Sequence, residues 1–335
     1  MQRRQQRDRV LPLGQRIPHV RRSAPVRRWP LLPIALALCA GAVGCGEQRE
    51  NTVDLGDVPS PPVRRDSSPP EALEERSARA ERPRTGLLPG FEAFATKLGG
   101  ELGATVGASG SADPAVGGSL RTGSAWSTIK VPIAMRVVED AGGPGQLTVA
   151  QRSQIQRALT ASDNAAAGEL FGGLAARHGG VPGAARAVTD VLREAGDGAT
   201  EVSTKGRDGF SPYGQTEWSL RAQHRFMAAL AGGCVGSRAS SRYLLGLMGK
   251  VTSDRWGFGS AGAPARWKGG WGPGTDGRYL VRQMGVLTVG GRPVVVTIAA
   301  RPADGTFASG QAMATRTAQW LTRRVDRTAG PSVGC

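Results

Sequence analysis

Ala125-Trp126-Ser127-Thr128-Ile129-Lys130-Val131-Pro132 sets a serine and a lysine three residues apart, at the head of an apolar stretch that includes Val131, Ile133, Ala134 and Val137. On a helix, residues three apart share a face, so Ser127 and Lys130 are predicted to stand side by side. A serine hydroxyl is a weak nucleophile until a base within hydrogen-bond reach takes its proton. A lysine serves as that base only where burial or a neighbouring cation lowers its pKa. The apolar residues after Lys130 predict a central, buried helix, and a buried lysine without a task is rare. The bland alternative is a helix start capped by serine, with the lysine in solvent.

Two further strings follow in order. Ser162-Asp163-Asn164 supplies a second hydroxyl and an amide; before Ala165-Ala166-Ala167 it also reads as a plain helix N-cap. Lys268-Gly269-Gly270, flanked by Trp267 and Trp271, reads as a short strand or as a glycine-rich turn. The chain has only five lysines (Lys97, Lys130, Lys205, Lys250, Lys268) among 43 basic residues. Two of them fall in these strings. Arginine does not deprotonate in proteins, so lysine is the required residue wherever a neutral amine is needed.

The surrounding pattern orders the elements. Helical spacing is predicted over 91–98, 127–140, 149–159, 164–176, 182–194, 217–231, 237–248 and 309–325. Short strands are expected at 103–108 and 119–122, and at 266–271. The β-branched runs 279–289 and 293–300 meet at Gly290-Gly291, a hairpin signal. Strands at both ends with helices between predict an α/β (α+β) fold: an antiparallel sheet built from both termini, covered by terminal helices, with an all-helical insert.

These strings and this order resemble the penicillin-recognising serine hydrolases, the class A β-lactamases and penicillin-binding proteins. The resemblance is most specific at 125–132 and 160–166, and extends at fold level over 87–330. It implies Ser127 as nucleophile, Lys130 as its base and Ser162 as proton shuttle. Asn164 and Lys268 would bind the substrate amide and carboxylate. Gly270 and Trp271 would complete the wall of the site, the Trp271 N–H joining that of Ser127 as oxyanion hole. Three departures stand out. Gly269 replaces the usual Thr or Ser. No Glu-x-x-Leu-Asn string lies between Asn164 and Trp218 to activate the deacylating water. The interval from Ser127 to Ser162 is short. Acylation is therefore expected and deacylation is expected to be slow. A true β-lactamase using another deacylation base, and a silent lipoprotein that binds cell-wall peptide, remain alternatives.

The formal charge of +16 does not point to nucleic acid, because nine arginines sit in residues 1–30 against the single acid Asp8. The rest of the excess is spread without a basic block. Residues 1–44 read as a lipoprotein signal: a basic start, an uncharged stretch and Ala42-Val43-Gly44 before Cys45, which would carry the lipid. The alternative is an uncleaved signal anchor. Residues 45–86, rich in Pro, Arg, Glu and Ser, cannot bury a core and read as a disordered tether. The serine-hydrolase-like domain is expected over 87–335, outside the cytoplasm and held at the cell membrane. Of four cysteines, Cys234 and Cys335 remain in that domain, and in an oxidising compartment a disulfide between them is expected, the alternative being two unpaired thiols. Three histidines, none at ligand spacing from a cysteine, predict no metal site, and no cofactor is expected. The expected partner is a small molecule or peptide: a β-lactam, a D-peptide or an ester.

Overall fold

A computed structural model describes residues 89–325. The signal, Cys45, the tether to residue 86, and Cys335 lie outside the described residues.

The chain enters through helix α1 (Phe91–Thr96) and forms strands β1 (Gly100–Ala108) and β2 (Ala115–Gly118). Six helices follow: α2 (Lys130–Asp140), α3 (Val149–Thr160), α4 (Asn164–His178), α5 (Gly180–Glu194), α6 (Leu220–Gly232) and α7 (Arg238–Met248). It returns as β3 (Ala265–Pro273), β4 (Tyr279–Val289) and β5 (Arg292–Pro302), and ends in α8 (Phe307–Thr322). The five strands form one antiparallel sheet in the order β2-β1-β5-β4-β3. The first strand therefore pairs with the last, Gly100 opposite Pro302 through to Ala108 opposite Val294. That pairing closes the sheet from both ends of the sequence and leaves β3 as a free edge.

Burial explains the strand sequences. From Val294 to Ala300 every β5 residue is buried, which is why the run reads as continuously apolar instead of alternating. One face packs under α1 and α8 through Phe91, Leu102, Val296, Ala314 and Leu321. The other packs under the helical block, whose centre is α2: Val131, Ile133, Ala134, Met135 and Val138 are all fully buried. Gly290 and Gly291 turn the β4–β5 hairpin at φ 56° and 77°, the doubly left-handed turn that only glycine adopts freely.

Three of the boundary differences have a visible local cause. The second strand lies at Ala115–Gly118 instead of 119–122. Gly118, at φ 84°, lies so close to Leu102 O that an added Cβ would fall 2.0 Å from it, and there the ladder ends. Helix α6 starts at Leu220, capped by the Ser219 side chain, because Glu217 bridges to Ser124 instead. The helix expected from 127 begins with a 3₁₀ turn, Trp126–Ile129, and becomes α-helical at Lys130.

At the C-terminal end of α2, Asp140 ties three helical residues together. It accepts from Arg136, from His178 Nε2 at 2.6 Å and lies 3.7 Å from Arg177 Nε. Burial alone would raise its pKa; the hydrogen bonds from His178 and Arg136 outweigh that and hold it below 3.8. In the unfolded chain the carboxyl takes up its proton first as pH falls, so this stabilisation is complete above that range and is lost through the folded-state pKa. Asp140→Asn is expected to cost about 1 kcal/mol at pH 7. In urea titrations the gap between variant and wild type should shrink as pH falls below 3.8; a gap that does not change with pH would remove the ionic account.

Candidate active site

The three sequence strings come together at one place, between the edge strand β3, the start of α2 and the turn from α3 into α4. Ser127 lies half-buried in the 3₁₀ turn. In a 3₁₀ turn, residues i and i+3 eclipse, which sets Ser127 directly over Lys130. The preceding residue, Trp126, is left-handed at φ 50°, a conformation that costs a non-glycine residue about 1–2 kcal/mol. Its ring is clamped into that position. Gly272 lies so close that an added Cβ would sit 2.4 Å from the ring. Phe210 meets it edge-on at 5.3 Å, and the Arg207 guanidinium lies 5.6 Å from its centroid. Strain held by several elements is the usual mark of a functional position.

Lys130 is buried, and its Nζ donates to Ser162 O at 2.6 Å and Asn164 Oδ1 at 2.7 Å, with Asp163 O at 3.4 Å and Ser162 Oγ at 3.5 Å. Burial lowers its pKa from 10.5 to about 8, with the Asp163 carboxylate pulling the other way. Ser162 sits at φ 55° in the tight turn between α3 and α4. Asp163 caps α4, its Oδ1 accepting from Ala166 N at 3.0 Å. The N-cap reading of this string is therefore met, and the same turn holds the Lys130 amine.

Lys268 reaches the same hydroxyl from β3. It is 2% exposed, and its Nζ lies 2.8 Å from Ser162 Oγ and 2.8 Å from Gly269 O. Burial, reinforced by the Lys130 charge, pushes its pKa well below 10.5, against a weaker pull from Asp254. The Ser162 hydroxyl thus stands between two amines whose charged forms are both disfavoured. A hydroxyl can accept from one group and donate to another, so this arrangement can relay a proton.

Gly270 is required by approach. A Cβ there would fall 2.9 Å from Ala125 O and 2.9 Å from Ser127 N, so only glycine lets the edge strand lie against the serine turn. Gly269 is different: a Cβ would sit 3.7 Å from Gln283, Trp256 and Trp271, in ordinary contact. Packing does not demand that glycine. Trp267 and Trp271 both face the α8 side, in the core cluster with Trp256, and the Trp271 ring stacks on Phe307 at 5.5 Å. The half-buried Trp271 therefore packs against the core and also borders the cleft that holds Ser162 and Lys268. Among the described residues, no side-chain hydrogen bond joins Ser127 Oγ to Lys130; the amine is engaged by the Ser162–Asn164 turn instead. Nucleophile–base contacts that tighten only when substrate binds are common.

Two supports were invisible in the strings. Arg282 lies on β4 opposite Gly270, 1% exposed, and donates to Gly123 O at 2.6 Å, Ser124 O at 3.1 Å, Trp218 O at 3.0 Å and Gln223 Oε1 at 2.9 Å. Gln223 in turn donates to Thr128 Oγ1 at 2.9 Å. That chain of bonds pins the turn carrying Ser127. An arginine inside the β-branched run 279–289 was the one signal available. The second support is the loop 195–219. Buried Asp197 accepts from Ala199 N at 3.2 Å, Thr200 N at 3.1 Å and Trp218 Nε1 at 3.0 Å. The loop's 3₁₀ turn Tyr213–Gln215 lies against Trp126, a Cβ on Gly214 falling 3.9 Å from its Cα. The stretch beside the serine turn, Ser211-Pro212-Tyr213-Gly214-Gln215, holds no carboxylate. The loop's Glu201 pairs with Arg193, and Glu217 Oε1 accepts from Ser124 Oγ at 3.2 Å.

No family model matches the sequence, and no curated protein matches it. Solved structures do match. A β-lactamase from Sphaerobacter thermophilus DSM 20745 aligns at 20% identity with a TM-score of 0.54, over 71% of this chain and 96% of that one. A β-lactamase from Chitinophaga pinensis DSM 2588 aligns at 16% identity with a TM-score of 0.56, over 69% of this chain and 96% of that one. A class A β-lactamase of the last common ancestor of Gram-negative bacteria aligns at 20% identity with a TM-score of 0.53, over 69% of this chain and 96% of that one. Such identities carry the architecture alone, and that architecture is the β-lactamase/transpeptidase-like fold predicted from the element order.

Proposed function

We propose that this chain is an exported, lipid-tethered serine hydrolase or acyl transferase that works through an acyl-serine intermediate. The observation that carries the reading is the Ser162 hydroxyl held 2.8 Å from Lys268 Nζ and 3.5 Å from Lys130 Nζ. In the reaction, Ser127 Oγ attacks the substrate carbonyl as neutral Lys130 takes its proton. The N–H groups of Ser127 and Trp271 stabilise the oxyanion. Collapse breaks the bond to the leaving amine or alcohol, and the proton passes from Lys130 through Ser162 to that leaving atom. Asn164 holds the substrate amide. A bound substrate carboxylate favours the charged form of Lys268, offsetting its burial. The lipid on Cys45, the tether to residue 86 and a Cys234–Cys335 disulfide belong to the same reading: an enzyme held at the outer face of the membrane, acting on a β-lactam, a D-peptide or an ester.

Because Lys130 must be neutral to act as base, the acylation rate should rise with pH to a midpoint near the value of about 8 and level off above it. Stopped-flow acylation by a chromogenic cephalosporin, beside a D-peptide and an ester, measures this. A rate flat from pH 6 to about 9 would remove Lys130 from the role. A silent cell-wall-peptide binder is the reading that Gly269 favours; its sign is ligand affinity unchanged by Ser127→Ala, with no adduct from any donor.

A further inference from the structure

A second cavity, of about 700 Å³, opens where the C-terminal end of α7 meets the start of β3 and the β4–β5 turn end of the sheet. None of the candidate site residues lines it. Its apolar lining is buried Leu245 and Val286 with half-buried Ala231 and exposed Pro293. Its rim carries Arg238, Lys250 and Arg266, and no carboxylate lines it. All three cations are exposed, and no side-chain hydrogen bond or ion pair is made by any of them among the described residues. Two of the three have stems packed against glycine backbone. The Arg266 stem lies against Gly249, where a Cβ would fall 3.5 Å from Cγ, and the Arg238 stem lies against Gly233 at 3.2 Å. The exposed Gly246 leaves open space on the helix side, with nothing within 4 Å of an added Cβ.

A second observation points into the same space. Ser109, which follows β1 and lines the cavity, is 4% exposed, and its hydroxyl has no hydrogen-bond partner. A buried hydroxyl left unpaired is destabilising, and a hydrogen bond to a ligand oxygen would relieve that. Like-charged rim groups without a carboxylate repel one another, and an anion relieves that repulsion. The apolar floor adds a requirement that a small inorganic anion does not meet.

We propose that this cavity binds an anionic single-chain amphiphile: a phosphate-headed lipid with its headgroup on Arg238, Lys250 and Arg266 and its acyl chain on the Leu245–Val286 floor. The cavity volume lies within the ordinary range for small-ligand sites. This inference does not depend on the serine chemistry.

The test uses the full chain with Cys45→Ser, so that no attached lipid competes, and titrates lysophosphatidylglycerol below its micelle concentration by calorimetry. An Arg238→Ser/Lys250→Ser/Arg266→Ser variant of the same chain keeps the arginine-rich N-terminus, so the difference between the two reports the cavity. Binding is expected to weaken about tenfold or more in the triple variant, with its melting temperature unchanged. Lysophosphatidylcholine, which has the same chain and a neutral head, should bind more weakly than lysophosphatidylglycerol, as should glycerol phosphate, which has the head alone. Equal binding by wild type and triple variant would overturn the assignment to this rim. Glycerol phosphate binding as tightly as the lipid would overturn the role of the floor, and lysophosphatidylcholine binding as tightly would overturn that of the charge.

Discussion

Ser127→Ala is expected to abolish covalent capture of every acyl donor, lowering the acylation rate by on the order of 10⁴-fold or more. The size follows from the arrangement around the serine. In the proposed mechanism the other groups serve a step that begins at the Ser127 oxygen: Lys130 takes its proton, Ser162 carries that proton onward, and the β3 edge stabilises the oxyanion its attack creates on the substrate. Without the oxygen they have nothing to act on, so their effects cannot add to a residual rate. The fold should be indifferent to the change. Ser127 is half-buried and its turn is held by other residues, through Thr128 Oγ1 to Ala125 O and Gln223 to Thr128. The variant should therefore melt within about 2 °C of wild type, which makes it a clean control. Lys130→Ala should cost about 10²- to 10⁴-fold, the usual size for a general base. Intact-protein mass and stopped-flow rates measure both. Acylation that survives in Ser127→Ala would place the nucleophile elsewhere.

Arg282→Met should be the most destabilising single change among the site's supports. The guanidinium is buried and bonds four acceptors: the carbonyls of Gly123, Ser124 and Trp218, and Gln223 Oε1. It touches no carboxylate; burial lowers its pKa to about 10, with only a distant pull from Glu217. Methionine fills the volume and leaves those acceptors dry. Removing one partner from such a buried charged network costs about 3–5 kcal/mol, or a melting temperature lower by roughly 6–20 °C for a domain of this size. Lysine should not rescue it, because a point charge cannot span acceptors fanned around a planar fork. The acylation rate should fall too, since Gly123 and Ser124 lead directly into the serine turn. A melt within about 1 kcal/mol of wild type would show that the network is not holding that turn.

The architecture was largely legible in the sequence. Runs 279–289 and 293–300 with a double-glycine turn give β4 and β5, and strands at both ends force the first to pair with the last. What pattern cannot supply is contact between distant residues. The left-handed Trp126 depends on Gly272, Phe210 and Arg207, residues far along the chain, so a regular helix was the natural expectation from position 127. The motif serines and lysines were visible because each is an unusual choice: few lysines, placed beside apolar residues. Arg282 and Asp197 were not, because arginine is abundant in the chain, neither lies in a motif, and only burial marks these two. Trp267 and Trp271 show the limit from the other side. Their spacing put them on one face, and only the packing of α8 shows that this face belongs to the core.

In the proposed mechanism, the absence of a carboxylate from Ser211–Gln215, the stretch beside the serine turn, is expected to separate this site from a fast hydrolase. With no base placed there to activate water, hydrolysis of the acyl-serine should be slowed by about 10²- to 10⁴-fold. The most direct test of the account is the lifetime of the adduct. Protein is mixed with a stoichiometric β-lactam, and its intact mass is followed over hours together with the remaining drug. The account predicts a single adduct, absent in Ser127→Ala, that persists after free drug is removed, with about one equivalent consumed. Rapid consumption of many equivalents with no accumulating adduct would contradict it, and would mean that a deacylating base works from a position other than this loop.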